Sequence, residues 1–116
     1  MPRVLVVALV LVLACASVAV AATKRLSATE SNGLGFSKKR ITVGAGKVTL
    51  KMTNPSDLHL EHSVSIRGKG VSKLGNVVQP GGTSKVTARL KKGRYTFYCH
   101  VNEHEAEGMK GTLVVR

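Results

Sequence analysis

Hydrophobic and polar residues alternate in short runs along most of the chain, and turn-forming residues separate the runs. In the clearest run, 47–53, Val48, Leu50 and Met52 fall on one face of an extended strand and the polar residues between them on the other. Pro and Gly at 80–82 mark one of the turns. The same alternation predicts strands at 23–30, 40–43, 47–53, 58–66, 83–90, 94–99 and 111–116, with brief pairing at 76–79.

The number and spacing of these runs predict the fold class. About seven or eight short strands, joined by turns and with few helix-period patterns, are typical of an all-β protein built as a β-sandwich. In the Gly-rich stretch 31–37 only Phe36 is expected to enter the core, and 68–75 is expected to be a loop. A chain of 116 residues is long enough for one such domain.

The N-terminal residues follow a different pattern. Residues 4–20 are nearly all Val, Leu and Ala, Arg3 precedes them with a positive charge, and small residues follow. This arrangement predicts a secretory signal peptide over 1–22, a mature domain over 23–116, and export to the periplasm or another extracytoplasmic compartment. Two alternatives stay open. The first is an uncleaved membrane anchor, because the length of the apolar run approaches the ~20 residues that span a membrane. The second is a lipoprotein signal, because Val-Leu-Ala-Cys is a loose lipidation motif that ends at Cys15.

The charge balance limits the classes of partner. The chain has 18 Lys and Arg against six Asp and Glu, a formal net charge of +12, and loss of Arg3 with the signal peptide leaves +11. Such a balance favours redox or other protein partners with acidic docking surfaces, and peripheral contact with an anionic membrane. No stacking aromatics interleave with the basic residues, so a nucleic-acid-binding module is not expected. We expect a monomer.

The predicted mature domain contains a single cysteine, Cys99, so no disulfide can form within one chain. A lone cysteine in an exported protein is an intermolecular partner, a reactive thiol or a metal ligand. Oxidising surroundings consume a bare thiol, whereas coordination protects it. Of the three roles, a metal ligand is therefore favoured for Cys99.

Two further metal-binding side chains follow Cys99 at regular spacing. Four residues separate Cys99 from His104, and four more separate His104 from Met109. A thiolate, an imidazole and a thioether form a soft donor set that suits a transition metal, and copper above all. An electron-transfer copper site needs a second imidazole, which this loop lacks.

The second imidazole can be chosen by strand geometry from the four histidines of the chain, His59, His62, His100 and His104. His100 follows Cys99 directly and would point to the opposite face of the strand. His59 and His62 differ by three positions, so an extended chain places them on opposite faces. Only His62 shares the predicted core face with Val64. His62 is therefore the predicted ligand, while His59 as ligand and a buried His62 without a metal remain the alternatives.

Three stretches carry a resemblance to a known family: Tyr-Thr-Phe-Tyr-Cys before the loop, Gly-Met-Lys-Gly-Thr-Leu-Val-Val after it, and His-Ser-Val-Ser-Ile upstream. Over residues 36–115 the chain resembles the blue copper proteins, or cupredoxins, and specifically bacterial plastocyanin- and azurin-like members. The resemblance implies a Greek-key β-sandwich with one copper ion, Cu(I) or Cu(II), that transfers single electrons between extracytoplasmic partners and catalyses no reaction. The metal ligands it implies are His62, Cys99, His104 and Met109.

Three positions extend or depart from this resemblance. Tyr98 falls where plastocyanins carry a solvent-exposed aromatic residue implicated in docking or electron coupling. Ser63 stands where relatives usually have Asn, whose longer side chain ties the two ligand segments together. Glu103, Glu105 and Glu107 surround the loop histidine, and Glu103 is hypothesised to compete as a copper ligand. Negative charge near the metal favours its oxidised state.

Other functions remain as alternatives at this level. A copper-binding protein for delivery or storage would use the same ligands in a more open and exchangeable site. A copper enzyme would need an open position or a second metal, and the chain contains no further histidine cluster. A Cys–His protease is not expected, because Cys99 lies on an inward strand face without an evident orienting partner.

Overall fold

The computed structural model describes residues 3–11 and 20–116. Strands in two sheets make up the folded part, and the described residues contain no helix, hence none long and apolar enough to cross a membrane. The strands are β1 (Ala21–Thr29), β2 (Gly35–Phe36), β3 (Arg40–Val43), β4 (Gly46–Thr53), β5 (Ser65–Gly68), β6 (Val71–Lys73), β7 (Thr83–Leu90), β8 (Gly93–Tyr98) and β9 (Lys110–Val115).

Part of the predicted signal peptide lies outside the described residues, and this part includes Cys15, the residue of the lipidation hypothesis. β1 begins at Ala21, shortly before the predicted start of the mature domain, and pairs there with Lys47 of β4. Cleavage after residue 22 stays a prediction.

The strands form two sheets that enclose one core. One sheet has the order β2-β1-β4-β7, and the other has the order β3-β9-β8-β5-β6. β1 runs parallel to β4, from the Ala21–Lys47 pair to the Ser27–Thr53 pair. The C-terminal ends of β1 and β4 therefore lie at the same edge of the sheet. The predicted all-β class is confirmed.

The core consists of apolar side chains at alternating strand positions, as the pattern predicts. Phe36 enters the core, and its ring centroid lies 5.4 Å from that of Phe97. Burying such side chains is the main favourable contribution to folding. The expected core positions that are buried include Leu26, Ala28, Ile41, Val43, Val48, Leu50, Met52, Val64, Ile66, Val86, Ala88, Leu90, Tyr95, Leu113 and Val115.

The prediction of one strand over 58–66 is wrong. Only Ser65–Gly68 forms a strand here, and Leu60, expected on the core face, is 43% exposed. His62 makes an isolated pair of backbone hydrogen bonds with Val78. The segment is instead held by Asn54, which is fully buried and whose Nδ2 donates to the carbonyls of Leu60 and Val78 at 2.9 and 3.0 Å.

The prediction of a loop over 68–75 is also wrong in part, because β6 occupies Val71–Lys73 and pairs with β5. Gly68, Lys69 and Gly70 make the turn, with φ values of 143°, 49° and 79°. Two glycines permit this left-handed backbone, so a hairpin forms where the pattern of apolar residues is too weak to indicate one.

Candidate metal centre

The loop between β8 and β9 joins the backbones of the three residues that are regularly spaced in the sequence. Cys99 directly follows β8, and Met109 directly precedes β9. The Cys99 amide donates to the Met109 carbonyl at 3.1 Å, and the Met109 amide donates to the His104 carbonyl at 3.0 Å. Cys99 and Met109 are fully buried, and His104 is 9% exposed. The loop thus closes on itself with its soft side chains directed to the interior.

His62 reaches this loop from the opposite segment. One donor atom from each of His62, Cys99 and His104 lies within 4.8 Å of the others. The Cys99 Sγ–His104 Nδ1 distance is 3.5 Å, and the two imidazole centroids are 5.1 Å apart. Two imidazoles and a thiol in one buried cluster form a candidate copper site.

The hydrogen bonding of His62 supports this interpretation. The residue is fully buried, and within the part of the chain that the structure describes its Nδ1 has no hydrogen-bond partner. A buried polar atom without a partner is unfavourable by about 1–3 kcal/mol. A metal ion bound between His62, Cys99 and His104 would use that lone pair, so the donor set fits copper.

Glu30 is part of this site, although the sequence analysis did not identify it. Its Oε2 lies 2.8 Å from Nε2 of His62 and accepts the Leu60 amide at 3.1 Å, while Oε1 accepts the His59 amide at 3.0 Å. The Glu30 side chain is only 13% exposed. A carboxylate on the far nitrogen of a metal-binding histidine is a recurrent arrangement in metalloproteins.

The parallel pairing of β1 and β4 explains how Glu30 reaches His62. Glu30 directly follows β1, and the segment that leads to His62 directly follows β4, so both leave the sheet at the same edge. The signal in the sequence is a single acidic residue at a strand end. That signal becomes informative only when the pairing of β1 with β4 is known.

The electrostatics of the site follow from its burial and its charges. Burial would raise the pKa of Glu30, but the His59 amide, the His62 imidazole and the Leu60 amide outweigh it and hold that pKa at about 2. Burial, with a contribution from His62, lowers the pKa of His104, while nearby glutamates oppose this shift. The pKa shifts therefore favour an ionised Glu30 carboxylate and a neutral His104 imidazole, and a neutral imidazole is the form that binds a metal.

Ser63 connects the two ligand segments despite being shorter than the Asn of the resemblance. Its amide lies 3.3 Å from Cys99 Sγ, and its hydroxyl accepts the His100 amide at 3.1 Å. Ser63 is fully buried. Through these contacts with the Cys99 sulfur and the His100 amide, Ser63 positions Cys99 as well as the neighbouring backbone.

The remaining histidines lie outside the cluster. The His59 side chain is 89% exposed. The Nδ1 atom of His100 is 3.0 Å from the Ser63 hydroxyl and 2.9 Å from the Ser65 hydroxyl. The structure thus places His62, and neither His59 nor His100, with Cys99, although the continuous strand used to choose His62 does not exist.

Tyr98 is not the exposed aromatic residue that the resemblance implies. It is 9% exposed, and the guanidinium carbon of Arg67 lies 4.3 Å from the centre of its ring. Arg67 also donates through Nη1 to Glu105 Oε1 at 2.7 Å and through Nη2 to Oε2. The ion pair of Arg67 with Glu105 therefore covers Tyr98.

Glu103 lies outside the cluster of donors, contrary to the hypothesis that it competes as a ligand. It is exposed, with a left-handed φ of 70°, and the group of convergent donors contains His62, Cys99 and His104 without it. Glu103 and Glu107 are instead both exposed in the loop that carries His104.

Comparison with protein families gives one match of nearly full length. The family described as Cupredoxin-like domain matches residues 5–115. No significant sequence match was found among curated proteins.

Solved structures with the same fold include blue copper proteins. Auracyanin B superimposes with a TM-score of 0.69 at 20% identity, covering 85% of this chain and 91% of that one. Auracyanin A, a "blue" copper protein from the green thermophilic photosynthetic bacterium Chloroflexus aurantiacus, gives 0.67 at 21% identity, with coverages of 83% and 99%. Copper nitrite reductase from Nitrosomonas europaea gives 0.67 at 22% identity, but the alignment covers 82% of this chain and 41% of that enzyme.

Proposed function

The chain belongs to the cupredoxin-like domain family, and on this premise we propose that it binds one copper ion and carries single electrons between extracytoplasmic redox partners. Its fold is the cupredoxin-like sandwich that the resemblance implies. The proposed ligands are His62, Cys99, His104 and Met109.

One observation carries the proposal: two imidazoles and a thiol converge within 4.8 Å in a buried cluster, and one imidazole nitrogen there lacks a hydrogen-bond partner among the described residues. Copper would supply a one-electron couple between Cu(I) and Cu(II). The chain contributes rigidity, because Ser63, Met109 and the backbone of the loop hold the donors in place. A site that is already arranged needs little reorganisation when its charge changes.

The burial of the donors favours an electron carrier over a protein for copper delivery or storage. His62, Cys99 and Met109 are fully buried, and His104 is 9% exposed. Exchange of a metal with an acceptor needs an open ligand position, whereas electron transfer needs only a close approach. A catalytic role would also need an open position, so we propose that the protein is not an enzyme.

Partner recognition follows from the charge distribution. The net charge of +12 supports long-range attraction to acidic partners or an anionic membrane surface. Near the proposed metal site the local charge is negative instead, because the carboxylates of Glu30, Glu61 and Glu107 all interact electrostatically with His104. We therefore expect a partner to meet basic residues on the body of the protein and an acidic surface at the metal end.

Copper reconstitution of the metal-free protein tests the proposal. We expect an intense visible band from the Cys99 thiolate, a reversible one-electron wave in voltammetry, and loss of the band in Cys99→Ser. Met52→Leu is the control, since Met52 is a fully buried core residue that the proposal does not assign to the metal. A colourless copper protein that transfers its metal to a chelator would contradict the carrier proposal and favour delivery.

A further inference from the structure

The imidazole of His62 is buried, and among the described residues its ring makes one hydrogen bond, which is to Glu30. The carboxylate also accepts the amides of His59 and Leu60, so it joins the end of β1 to the whole segment that carries His62. Its side chain is 13% exposed, and that of His62 is fully buried. This contact is therefore shielded from water on both sides.

The chemistry of the contact determines the state of the imidazole. A carboxylate oxygen can only accept, so the hydrogen of a neutral His62 ring must lie on Nε2. The lone pair then lies on Nδ1, the buried atom that has no hydrogen-bond partner among the described residues. The same contact also places a full negative charge one ring away from the metal-binding atoms.

We propose that Glu30 is a positioning residue of the copper site, which selects the metal-binding tautomer of His62 and favours the divalent over the monovalent ion. The inference rests on the proposed copper site. A negative charge that water screens weakly attracts a doubly charged ion more strongly than a singly charged one. Loss of such an outer partner typically lowers metal affinity about 10–100-fold.

The first test needs no metal and no variant. In the metal-free protein at mildly alkaline pH, the ¹⁵N shifts of His62 should show a hydrogen on Nε2 and a bare Nδ1. Protonation of Nδ1 would overturn the inference.

The second test compares Glu30→Gln with Glu61→Gln in the copper protein. Gln keeps the size and one acceptor oxygen of Glu30 but removes its charge. Glu61 is a matched control, because it is exposed, accepts a hydrogen bond from Gln79, and also acts on the pKa of His104, but its carboxylate makes no hydrogen bond to a proposed ligand.

We expect Glu30→Gln to lower the affinity for Cu(II) relative to Cu(I) about tenfold, which corresponds to a rise in reduction potential of about 59 mV. Glu61→Gln should change that ratio less than about twofold, as expected for an exposed charge. Equal shifts in the two variants would overturn the role of Glu30 and leave the copper proposal intact. Absence of a thiolate–copper band in the unmodified protein would instead contradict the proposed function, and the tautomer measurement would still decide the role of Glu30.

Discussion

Arg67 links β5 to the loop between β8 and β9 through a single side chain. It pairs with Glu105 and covers the ring of Tyr98. Its hydrogen bond lowers the pKa of Glu105, and burial opposes this shift. The pair is partly screened, since the side chains of Arg67 and Glu105 are 43% and 29% exposed.

Replacement of Arg67 by Met should destabilise the metal-free protein by about 0.5–1 kcal/mol at pH 7, because a partly exposed ion pair is lost. Chemical unfolding of Arg67→Met, Glu105→Gln and the double variant measures the coupling between the two side chains.

The same coupling should depend on pH. The pKa of Glu105 is lower in the folded state than its ordinary 4.5. Its contribution to stability is therefore complete above about pH 4.5 and is lost as the pH falls through the folded-state value. A coupling energy that stays constant down to pH 3 would show that packing on Tyr98, rather than charge, holds Arg67 in place.

Individual residues of the site were predictable where chemistry and spacing act together. Cys99, His104 and Met109 share one loop, and a thiolate, an imidazole and a thioether indicate the same metal. Glu30 was not predictable, because a carboxylate near a strand end is ordinary and its contact with His62 depends on the pairing of β1 with β4. The prediction that Tyr98 is exposed was wrong, because Arg67, a residue of another strand, covers its ring.

The packing of β8 against β9 requires a glycine at one position of their pairing. Gly111 pairs with Phe97, and a Cβ at Gly111 would lie 2.2 Å from Cζ of the Phe97 ring. Phe97 is fully buried and cannot move outward without opening the core. These two strands flank the metal loop, so their packing also sets its position.

Replacement of Gly111 by Ala should therefore reduce the free energy of unfolding by about 1–3 kcal/mol through overpacking. Gly44→Ala is the matched control, because a Cβ at Gly44 meets nothing within 4 Å and the change should stay within about 0.5 kcal/mol. Urea unfolding of both variants measures the difference. Equal stability of the two variants would show that the ring of Phe97 has room to shift.

At the level of elements, period-two alternation predicted the strands that contribute one face to the core. It failed over 58–66, where consecutive residues from His62 to Ile66 are all buried. Their burial depends on polar contacts, such as those of Asn54 with Leu60 and Val78, rather than on alternation. Sequence pattern reports which side chains are apolar, and it does not report where distant polar groups find their partners.

The molecule as a whole is electrically asymmetric. Five of its six acidic residues contact the site, act on His104 or lie in its loop: Glu30, Glu61, Glu103, Glu105 and Glu107. A basic group lies on β4, β6 and β7, where Lys47, Lys73 and Arg89 line one cavity. Lys47 pairs with Arg89 at the end of β4 that is opposite to the metal-side edge.

The rate at which small charged oxidants oxidise the copper protein should depend on this asymmetry. Replacing Glu61, Glu103 and Glu107 by Gln should speed oxidation of the reduced copper protein by hexacyanoferrate(III) about tenfold at low salt, and should slow oxidation by a cationic cobalt(III) complex. Stopped-flow measurements at two ionic strengths test this, since salt should reduce both effects.

The control changes the same number of charges at the opposite end of β4, where Lys91 directly follows β7. Replacing Lys47, Arg89 and Lys91 by Gln should have a much smaller effect on both rates if charge near the metal governs approach. Comparable effects of the two triple variants would mean that net charge alone decides the rate.

The two parallel pairings of the sandwich also affect the order in which the chain can fold. The β8–β9 hairpin is a local contact, so Cys99, His104 and Met109 can come together with a small loss of chain entropy. The pairing of β3 with β9 instead joins Arg40 to Thr112, and that of β1 with β4 brings Glu30 to the segment of His62. Such distant contacts form slowly. The contact of Glu30 with His62 therefore exists only in a chain in which β1 and β4 have already paired.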